Sequence, residues 1–469
     1  MKFIDRHNEL ERLARLRDSD DGGLAIVYGR RRIGKTRLLL EWIRGHGGLY
    51  TVADQSTAEV QRAYFAAAVG VHLNGFAEVR YPEWGALFSR LAREARLANW
   101  RGPLVIDELP YLVTASPELP SVLQRWVDHE AKQAGLAVAL AGSSQRMMQG
   151  LVLSADAPLF GRAREILPLA PIDPIHIPEA IGTRDPVKLV EFYAAWGGIP
   201  RYWELALGQA GTTPERLEQL VLDPLGPLHQ EPDRLLIEEH PPALEVRPVL
   251  DAIGMGAARV SEIAGRIGHQ ATSLSRPLDR IIGMGLVRKE IPFGESEKQS
   301  RRTLYRISDP FIRLWFQAVA PHRAYLATSR ASHRKTLLQK LWPAHLAHCW
   351  EDLCRQRISQ IDSLPGAPGP WKPAARWWHG ESPEWDVVAE DLEGKYLLLG
   401  EVKWSATPFS GRELRTLYTA LQQKSPPALP ARFARHERIL ALFVPRIQGP
   451  RPKNLDNTLI VTGEDLLAL

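Results

Sequence analysis

The chain has 469 residues, which suggests about three domains, since one domain commonly takes about 100–200 residues. Hydrophobic residues make up 45% of the sequence and charged residues 24%, which excludes a disordered or fibrous protein. The net charge of +5 permits an acidic partner such as nucleic acid without requiring one. Two cysteines cannot build a disulfide framework, and no run of about 18 apolar residues predicts a membrane span. We therefore expect a cytoplasmic protein without a membrane segment.

The predicted elements divide the chain into four units. Over residues 1–170, strand-like apolar runs alternate with helical patterns, which predicts a parallel sheet covered by helices. Residues 171–238 are mostly helical and are interpreted as a small lid. Residues 239–320 show short helices followed by strand, charged loop and strand, which is the order of a winged helix. Residues 321–469 begin with a helical connector and contain further strands, which predicts a second α/β domain.

A phosphate-binding motif directly follows the first predicted strand and opens a helix. It reads Gly29-x-x-x-x-Gly34-Lys35-Thr36, the P-loop pattern in its required context. Glycines let backbone N–H groups face phosphate oxygens, and the positive end of the helix adds to the attraction. Lys35 is expected to reach the β and γ phosphates of ATP, and Thr36 to bind Mg²⁺. The competing interpretation is a tight glycine turn with an exposed lysine. The residues predicted to bind the nucleotide are Gly29, Arg30, Arg31, Arg32, Ile33, Gly34, Lys35, Thr36 and Arg37.

A second buried strand ends in two acids that complete this predicted site. Asp107 is expected to contact the water shell of Mg²⁺, and Glu108 to act as the base that orients the attacking water. After the third strand, Ser143 or Ser144 either senses the γ phosphate or is an ordinary loop serine. Arg162 is interpreted either as an arginine finger acting across the interface of a homo-oligomer or as a surface arginine.

These motifs resemble those of a known family, the archaeal-type P-loop ATPases of the AAA+ superfamily in the group related to STAND signalling ATPases. The segments that carry the resemblance are "FIDRHNELERL", "YGRRRIGKTRLL", "IDELPYL", "AGSSQRMM", "PLFGR" and "WGGIPRYW". In the first of them, Arg6 and Glu9 match the recurring Arg and Glu of the family. The resemblance spans roughly residues 1–236 and implies ATP binding and slow hydrolysis, with residues 197–202 of the lid near the nucleotide. Whether Arg201 touches phosphate or belongs to a helix-packing turn stays open.

The predicted winged helix carries an excess of positive charge. Residues 259–306 contain ten Lys/Arg against five Asp/Glu. A recognition helix at about residues 272–284 and a basic hairpin around residues 298–302 are expected to meet DNA phosphates without reading the base sequence. The alternative is a structural hinge that packs on the nucleotide domain and turns its charges to solvent.

In the last domain, Asp386, Glu401 and Lys403 form the pattern D-x14-E-V-K across a predicted β-hairpin. Carboxylates on facing antiparallel strands come within about 5 Å, so Asp386 and Glu401 are expected to share one divalent cation. Lys403 would then stabilise the attacking water or the charge of the reacting phosphate. The alternative is a partly buried salt bridge of Lys403 with either carboxylate. The metal ligands predicted for the whole chain are Thr36, Asp107, Asp386 and Glu401, and the catalytic residues are Lys35, Glu108, Arg162, Asp386, Glu401 and Lys403.

This pattern resembles the core of PD-(D/E)xK nucleases. The segments "CWEDLC", "ARWWHG", "EWDVV" and "GEVKW" resemble the uncharacterised restriction-nuclease-like domain often fused behind archaeal ATPases of this type. The resemblance covers about residues 337–469 and implies that Glu351 supplies an acid from the first helix and that Gln422 or Gln423 supplies a late helical glutamine. Trp385 stands before Asp386 where the pattern usually has proline.

The sequence thus predicts an α/β protein with a P-loop NTPase domain, a helical lid, a winged helix and a C-terminal α/β nuclease-like domain. Its expected function is ATP binding and hydrolysis with Mg²⁺, whereby the nucleotide state controls the winged helix and a nuclease-like domain acting on DNA. The alternative is a non-cleaving STAND-like signalling switch whose C-terminal domain is an inactive binding module. The expected partners are ATP, DNA and further copies of the chain. Trp377 and Trp378 either stack on bases or belong to the core.

Overall fold

The structure is a computed structural model that describes residues 2–467 apart from 144, 153–156, 240–244, 297, 299 and 453–457. Ser144, a candidate γ-phosphate sensor, and Glu297, one of the acids of the predicted winged helix, lie outside the described residues. Several elements are joined by short 3₁₀ and π turns: Val127–Ala131, Pro174–His176, Glu218–Leu222, Ala271–Leu274, Ala320–His322 and Ala431–Phe433.

A parallel sheet forms the centre of the amino-terminal unit. Its elements are α1 (His7–Asp18), β1 (Gly23–Tyr28), α2 (Lys35–Ile43), β2 (Leu49–Val52), α3 (Ala58–Gly70), α4 (Trp84–Leu97), β3 (Leu104–Asp107), α5 (Leu109–Ala115), α6 (Leu119–Trp126), β4 (Ala137–Gly142), α7 (Gln145–Val152) and β5 (Ala163–Pro168). The strand order is β2-β3-β4-β1-β5, and every pair is parallel. Strands β3 and β4 are buried throughout and apolar except for the terminal Asp107 of β3, as a sheet with both faces covered requires. Because parallel strands end at one edge, the loops after β1, β3 and β4 meet there.

Helices alone make up the next unit, in agreement with the predicted helical stretch. They are α8 (Ile177–Ile181), α9 (Pro186–Trp196), α10 (Pro200–Leu207), α11 (Thr213–Leu217) and α12 (Glu231–Glu239). The side chain of Asp185 accepts a hydrogen bond from the N–H of Val187, and Pro186 occupies the first helical position, so the start of α9 is fixed by its own sequence.

Three helices followed by an antiparallel pair of strands form the third unit. These elements are α13 (Arg247–Gly254), α14 (Val260–Ile267), α15 (Ser275–Gly283), β6 (Val287–Glu290) and β7 (Leu304–Ile307). The predicted recognition helix corresponds to a 3₁₀ turn that leads into α15.

A long helix and a mixed sheet form the remainder of the chain. The elements are α16 (Pro310–Ala318), α17 (Arg323–Thr328), α18 (Ala331–Ile358), β8 (Ala375–Trp377), β9 (Trp385–Glu390), β10 (Tyr396–Val402), α19 (Gly411–Gln423), β11 (Glu437–Val444), β12 (Thr458–Thr462) and α20 (Gly463–Leu466). The strand order is β12-β11-β10-β9-β8. Strands β10, β11 and β12 are parallel, whereas β8 and β9 run antiparallel to their neighbours. The antiparallel pairing of β9 with β10 confirms the predicted hairpin.

Helices α9, α16 and α18 pack together and join the units through a continuous hydrophobic core. Each contributes a fully buried tryptophan, namely Trp196, Trp315 and Trp350. Burial of one large aromatic side chain contributes roughly 2–3 kcal/mol, so these helices form a strong connection between the two sheets. Within the described part of the chain, no helix has both the length and the apolar character that crossing a membrane requires.

Candidate functional site

The loop between β1 and α2 has the backbone shape of a phosphate cradle. Gly29 has φ +156°, and a Cβ atom there would lie 2.7 Å from the carbonyl oxygen of Leu169, so only glycine fits. Gly34 has φ +94° at the N-cap of α2. Arg32 also adopts a left-handed conformation, φ +67°, which is uncommon for a non-glycine residue and is found mainly at functional sites. The loop therefore turns back on itself and delivers the positive end of α2 to the carboxyl edge of the sheet.

Lys35, Thr36 and Asp107 occupy the positions that the sequence predicts for phosphate and metal binding. The Lys35 ammonium group donates to the carbonyl oxygens of Gly29 at 2.8 Å and Arg30 at 3.2 Å. The Thr36 hydroxyl donates to Asp107 Oδ2 at 2.8 Å, across 71 positions of sequence. The strand β3 thus places its terminal carboxylate beside the first turn of α2.

Tyr50 is a further member of this site that the sequence analysis missed. Its hydroxyl donates to the same Asp107 oxygen at 2.8 Å from the neighbouring strand β2. Burial raises the pKa of Tyr50 and the Asp107 carboxylate raises it further, so the phenol stays protonated and remains a donor. Its alignment with β3 follows from the parallel pairing of Val52 with Asp107, which is a tertiary feature.

Glu108 and Ser143 are brought together at the carboxyl ends of β3 and β4. Glu108 adopts a left-handed conformation, φ +54°, at the N-cap of α5. The Ser143 hydroxyl donates to Glu108 Oε1 at 2.7 Å. This contact joins the ends of the two strands, and the role of Ser143 as a γ-phosphate sensor or an ordinary loop serine stays a prediction.

A cavity of about 560 Å³ opens above these groups. This volume lies within the range of roughly 300–1,000 Å³ that is usual for small-molecule sites. Its walls are Lys2, Arg31, Arg32, Gly34, Lys35, Thr36, Arg37, Leu40, Glu108, Ser143, Pro200, Arg201 and Glu204. Arg201 from the lid forms an ion pair with Glu204 at 2.5 Å and faces the same cavity. Six of the nine predicted nucleotide-binding residues thus line one space, whereas Gly29, Arg30 and Ile33 lie behind it.

Two P-loop arginines, Arg30 behind the cavity and Arg32 in its wall, connect the loop to other units. Arg30 Nη1 lies 2.7 Å from Asp309 Oδ2, and both side chains are buried. Arg30 also donates to the hydroxyl of Tyr202 at 3.2 Å. Arg32 forms an ion pair with the buried Glu231 of α12, which also accepts a hydrogen bond from Tyr202 at 2.8 Å. The phosphate loop is therefore tied to the lid and to the N-cap of α16.

The opening segment of the chain supports the loop from its other side. Arg6 pairs with Glu9 at 3.0 Å and donates to the carbonyl oxygen of Ala170 at 2.5 Å. It also reaches the carbonyl oxygen of Ile33 at 3.4 Å. The Arg and Glu that the resemblance singled out therefore brace the P-loop.

Arg162 lies outside this site in its own chain. It directly precedes β5, at the edge of the sheet where β1 begins, and its guanidinium group pairs with Asp128 at 2.9 Å. The P-loop lies at the opposite, carboxyl edge of the same sheet. A role for Arg162 in a neighbouring copy of the chain stays a prediction.

The carboxyl-terminal sheet brings the predicted nuclease-like residues together. The carboxylate of Asp386 accepts a hydrogen bond from the N–H of Val402 at 2.9 Å, which places it beside Glu401 on β10. Lys403 Nζ lies 2.8 Å from Glu401 Oε1. Lys424, which caps the end of α19, pairs with the other oxygen of Glu401 and lies 4.7 Å from the centre of the Trp385 ring. Lys424 was not predicted, because only the fold brings it to Glu401.

Glu351 approaches this cluster from α18, as the resemblance implied. Burial and the nearby Asp386 carboxylate raise the pKa of Glu351 to about 7. Burial, followed by Glu401, raises the pKa of Asp386. The described residues nevertheless contain no group of three or more His, Cys, Asp or Glu positioned to hold a metal ion. Because lysines hold both oxygens of Glu401, the cluster does not fit a divalent ion in this conformation.

Other predicted residues of the carboxyl-terminal domain lie elsewhere. Gln422 bonds to the hydroxyl of Tyr418 at 2.5 Å and is exposed, as is Gln423. Trp377 and Trp378 are 3% and 8% exposed, so they belong to the core and cannot stack on bases as they stand. Of the two predicted roles for these tryptophans, base stacking or core packing, the structure therefore supports core packing.

The basic residues of the third unit divide into half-buried and exposed groups. Arg302 donates to the carbonyl oxygen of Trp378 and pairs with Glu295, so it fastens the β6–β7 loop to the carboxyl-terminal domain. Arg276, Lys298 and Arg301 are exposed. Only part of the predicted positive face is therefore available to a partner.

Comparison with known proteins agrees with this geometry. Residues 3–204 match a family described as an ATPase domain predominantly from Archaea. Residues 315–416 match a family of archaeal and bacterial proteins of unknown function. An uncharacterized protein of Methanocaldococcus jannaschii is 27% identical over 424 residues, which cover 90% of this chain and 92% of the relative.

A solved structure shows a related fold. The Walker-type ATPase of Pyrococcus abyssi superposes with a TM-score of 0.52 at 17% identity, over 67% of this chain and 96% of the other. The ORC2 protein of Aeropyrum pernix gives a TM-score of 0.42 at 12% identity, over 74% of this chain and 96% of the other. The chain is therefore an ATPase with an amino-terminal ATPase domain, and its residues 315–416 are similar to proteins of unknown function.

Proposed function

We propose that this chain is a nucleotide-driven switch in which ATP binding and hydrolysis control a winged helix and a nuclease-like carboxyl-terminal domain. The observation that carries the proposal is the buried ion pair between Arg30 of the phosphate loop and Asp309, which caps the helix leading into the carboxyl-terminal domain. A loop that binds and releases phosphate cannot move without straining this contact.

The residues of the cavity account for hydrolysis. Lys35 leaves the carbonyl oxygens of the loop and neutralises the β and γ phosphates of ATP. Glu108, held by Ser143, accepts the proton of the attacking water. Amides at the start of α2 stabilise charge on the γ phosphate as it develops.

Mg²⁺ fits the oxygen donors at the edge of this cavity. Thr36 and Asp107 present a hydroxyl and a carboxylate in contact with each other, and hard oxygen ligands of this kind suit Mg²⁺. When bound, the ion would neutralise negative charge on the phosphates, with Thr36 and Asp107 as the residues that would hold it. Tyr50 holds Asp107 in place from the neighbouring strand.

A series of buried ion pairs connects the two ends of the molecule. Asp309 accepts from the N–H of Ile312 at 3.2 Å and thereby caps α16. One turn later, Arg313 pairs with Asp352 of α18 at 2.5 Å. Arg355, also on α18, pairs with Asp352 at 2.6 Å and donates to the carbonyl oxygen of Asp386 at 2.9 Å. Displacement of α16 is thereby passed to the carboxylate cluster.

Nucleotide affinities test this coupling. We expect Asp309→Asn to change the ratio of the affinities for ADP and a non-hydrolysable ATP analogue by at least about threefold, because asparagine keeps the helix cap but loses the charge that holds Arg30. Calorimetric titration of the full chain measures this ratio. A ratio equal to that of the wild type would contradict the coupling.

A second candidate function is nucleic-acid cleavage by the carboxyl-terminal domain. It is favoured by the convergence of Glu351, Asp386, Glu401 and Lys403 around one point of the mixed sheet. In that role the Lys403 ammonium group stabilises negative charge on the reacting phosphate. The competing role is a binding module that holds a partner without cleaving it. This role is favoured by Lys403 and Lys424, because they occupy both oxygens of Glu401.

A cleavage assay separates these two roles. Wild-type protein is incubated with DNA or RNA in the presence of Mg²⁺ or Mn²⁺, beside Asp386→Ala and Lys403→Ala. Loss of cleavage in both variants supports the enzyme. Absence of cleavage by the wild type on every substrate supports the binding module.

A further inference from the structure

A second cavity, of about 590 Å³, lies where α9, β6, α18 and β8 meet. It is as large as the phosphate cavity but is built from the lid, the third unit and the carboxyl-terminal domain together. Its lining includes Tyr193, Arg288, Lys289, Glu290, Ser308, Asp352, Arg355, Gln356, Ser359, Gln360, Arg376 and Trp378. The volume falls in the range of small-molecule sites.

Three guanidinium groups line this cavity, and two more pair with the same two carboxylates, Asp352 and Glu290. We call them the arginine cluster: Arg288, Arg306, Arg313, Arg355 and Arg376. Asp352 contacts three of them, at distances between 2.5 and 2.6 Å. Burial alone would raise the pKa of Asp352, but these three arginines hold it well below its usual range. Asp352 is therefore ionised, and both of its oxygens already pair with arginines.

Glu290 is the second shared carboxylate, and it does not form hydrogen bonds with all of the arginines near it. It pairs with Arg288 at 2.7 Å, whereas Arg306 and Arg376 lie 3.2 and 3.8 Å from its other oxygen. That oxygen, Arg306 Nε and Arg376 Nε are buried and make no hydrogen bond. Burial lowers the pKa of Arg306, Glu290 opposes this, and Arg376 adds to the lowering. Positive charge thus exceeds its local compensation.

The register of the β6–β7 pair concentrates this charge. Arg288 stands directly opposite Arg306, an arrangement that is unfavourable on adjacent strands. Glu351 and Glu384 contact Arg355 and Arg376 at the margins, at 3.8 and 2.7 Å. The five guanidinium groups of the arginine cluster then face four carboxylates among the described residues.

We infer that this junction cavity binds a small organic phosphate of about nucleotide size. Guanidinium groups bind phosphate oxygens in a forked geometry, and a phosphate would supply both the missing charge and the missing hydrogen-bond acceptors. Hydroxyl and amide groups of Ser308, Gln356, Ser359 and Gln360 provide neutral hydrogen-bonding partners for the rest of the ligand. The volume of about 590 Å³ fits a small ligand and not a nucleic-acid duplex.

The position of the cavity gives such a ligand access to both ends of the molecule. Arg355 contacts the backbone of Asp386 at the carboxylate cluster. Arg313 shares Asp352 with Arg355 and lies one turn after Asp309, the partner of Arg30. A phosphate that competes for these guanidinium groups would alter the contacts of both sites. Binding itself does not depend on the proposed switch.

Calorimetric titration of inorganic pyrophosphate tests the site. The full chain carries Lys35→Ala, which weakens phosphate binding at the P-loop, and the buffer contains no divalent cation. We expect about one equivalent to bind, and Arg376→Gln and Lys289→Gln each to weaken binding at least about tenfold. Lys289 is exposed, so its substitution leaves the fold intact even if Arg376→Gln does not.

Lys298→Gln is the matched control, because it removes the same charge from an exposed position in the β6–β7 loop. It should leave the affinity unchanged. Three results would each overturn the proposal: no binding of pyrophosphate, equal weakening by Lys298→Gln, or affinity that is insensitive to both cavity variants. Preferential binding of a single-stranded oligonucleotide in competition with pyrophosphate would also overturn it, because it would identify a nucleic-acid surface.

Discussion

The two lysine–carboxylate sites of this chain use the same residue types in opposite ways. At the P-loop, the Lys35 ammonium group contacts backbone carbonyl oxygens beside an open cavity. In the carboxyl-terminal domain, Lys403 and Lys424 bind the two oxygens of Glu401. At the first site, the Lys35 ammonium group can exchange a carbonyl oxygen for a phosphate oxygen. At the second site, the charge of Glu401 is already neutralised by two lysines of the same chain.

This difference shows what a short motif specifies. Glycines and left-handed residues fix the backbone of the P-loop, so its shape is present without any ligand. The carboxylate cluster instead combines side chains from the β9–β10 hairpin, from α18 and from the end of α19, and its charges pair with one another. Four predictions examine this contrast.

The largest effect is expected from Lys35→Ala. It should lower kcat/KM for ATP hydrolysis by roughly 100-fold to 1,000-fold, because one preorganised charge at the reacting phosphate is removed. Phosphate release by the full chain measures this. Lys132→Ala, an exposed position at the opposite edge of the sheet, is the control and should retain full activity.

Glu108→Gln separates binding from hydrolysis at the same site. We expect kcat to fall about 100-fold while ATP affinity is retained, because glutamine keeps the contact with Ser143 but cannot accept a proton. Ser143→Ala should cause a smaller loss of about tenfold, since it removes only the orientation of Glu108. If both variants hydrolyse ATP like the wild type, Glu108 is not the base.

Asp309→Asn tests the connection between the two sites through stability. The change removes the Asp309 charge from the buried Arg30 guanidinium group and should lower the free energy of unfolding by roughly 3 kcal/mol. Asp185→Asn is the matched control, because Asp185 also caps a helix but pairs with Arg446 near the surface. Its cost should stay below about 1 kcal/mol. If urea denaturation shows equal losses of unfolding free energy for the two variants, the buried Arg30–Asp309 pair does not stabilise the fold more than the surface pair.

Lys424→Gln examines the self-neutralised site. Removal of this ammonium group frees one oxygen of Glu401, so Mn²⁺ affinity should rise about tenfold, equivalent to roughly 1.4 kcal/mol. Titration calorimetry measures the change. Lys372→Gln, which breaks a comparable pair with Glu390 on the same sheet, should have no effect. Unchanged or weaker Mn²⁺ binding in Lys424→Gln would mean that the cluster is a structural ion-pair network.

Features that depend on residues close together in the sequence could be predicted from the sequence. The P-loop and the antiparallel pairing of β9 with β10 follow from local glycine placement and from alternating apolar runs. The roles assigned to Thr36, Asp107 and Glu108 stay predictions, although all three lie at the expected edge of the sheet.

Long-range contacts could not be predicted in this way. Arg30 and Asp309 are 279 residues apart, and nothing in either segment identifies the other. Lys424 reaches Glu401 only because α19 ends beside β10, and Arg288 opposes Arg306 only through strand register. These contacts depend on the packing of whole units, which a single sequence does not specify.

Hydrogen–deuterium exchange of the full chain, with ADP and with a non-hydrolysable ATP analogue, tests the coupling most directly. The account predicts that the two nucleotides give different protection in α16 and α18 as well as around the P-loop, because the Arg30–Asp309 and Arg313–Asp352 pairs join them. Differences confined to residues 2–204, with α16 and α18 unchanged, would contradict it.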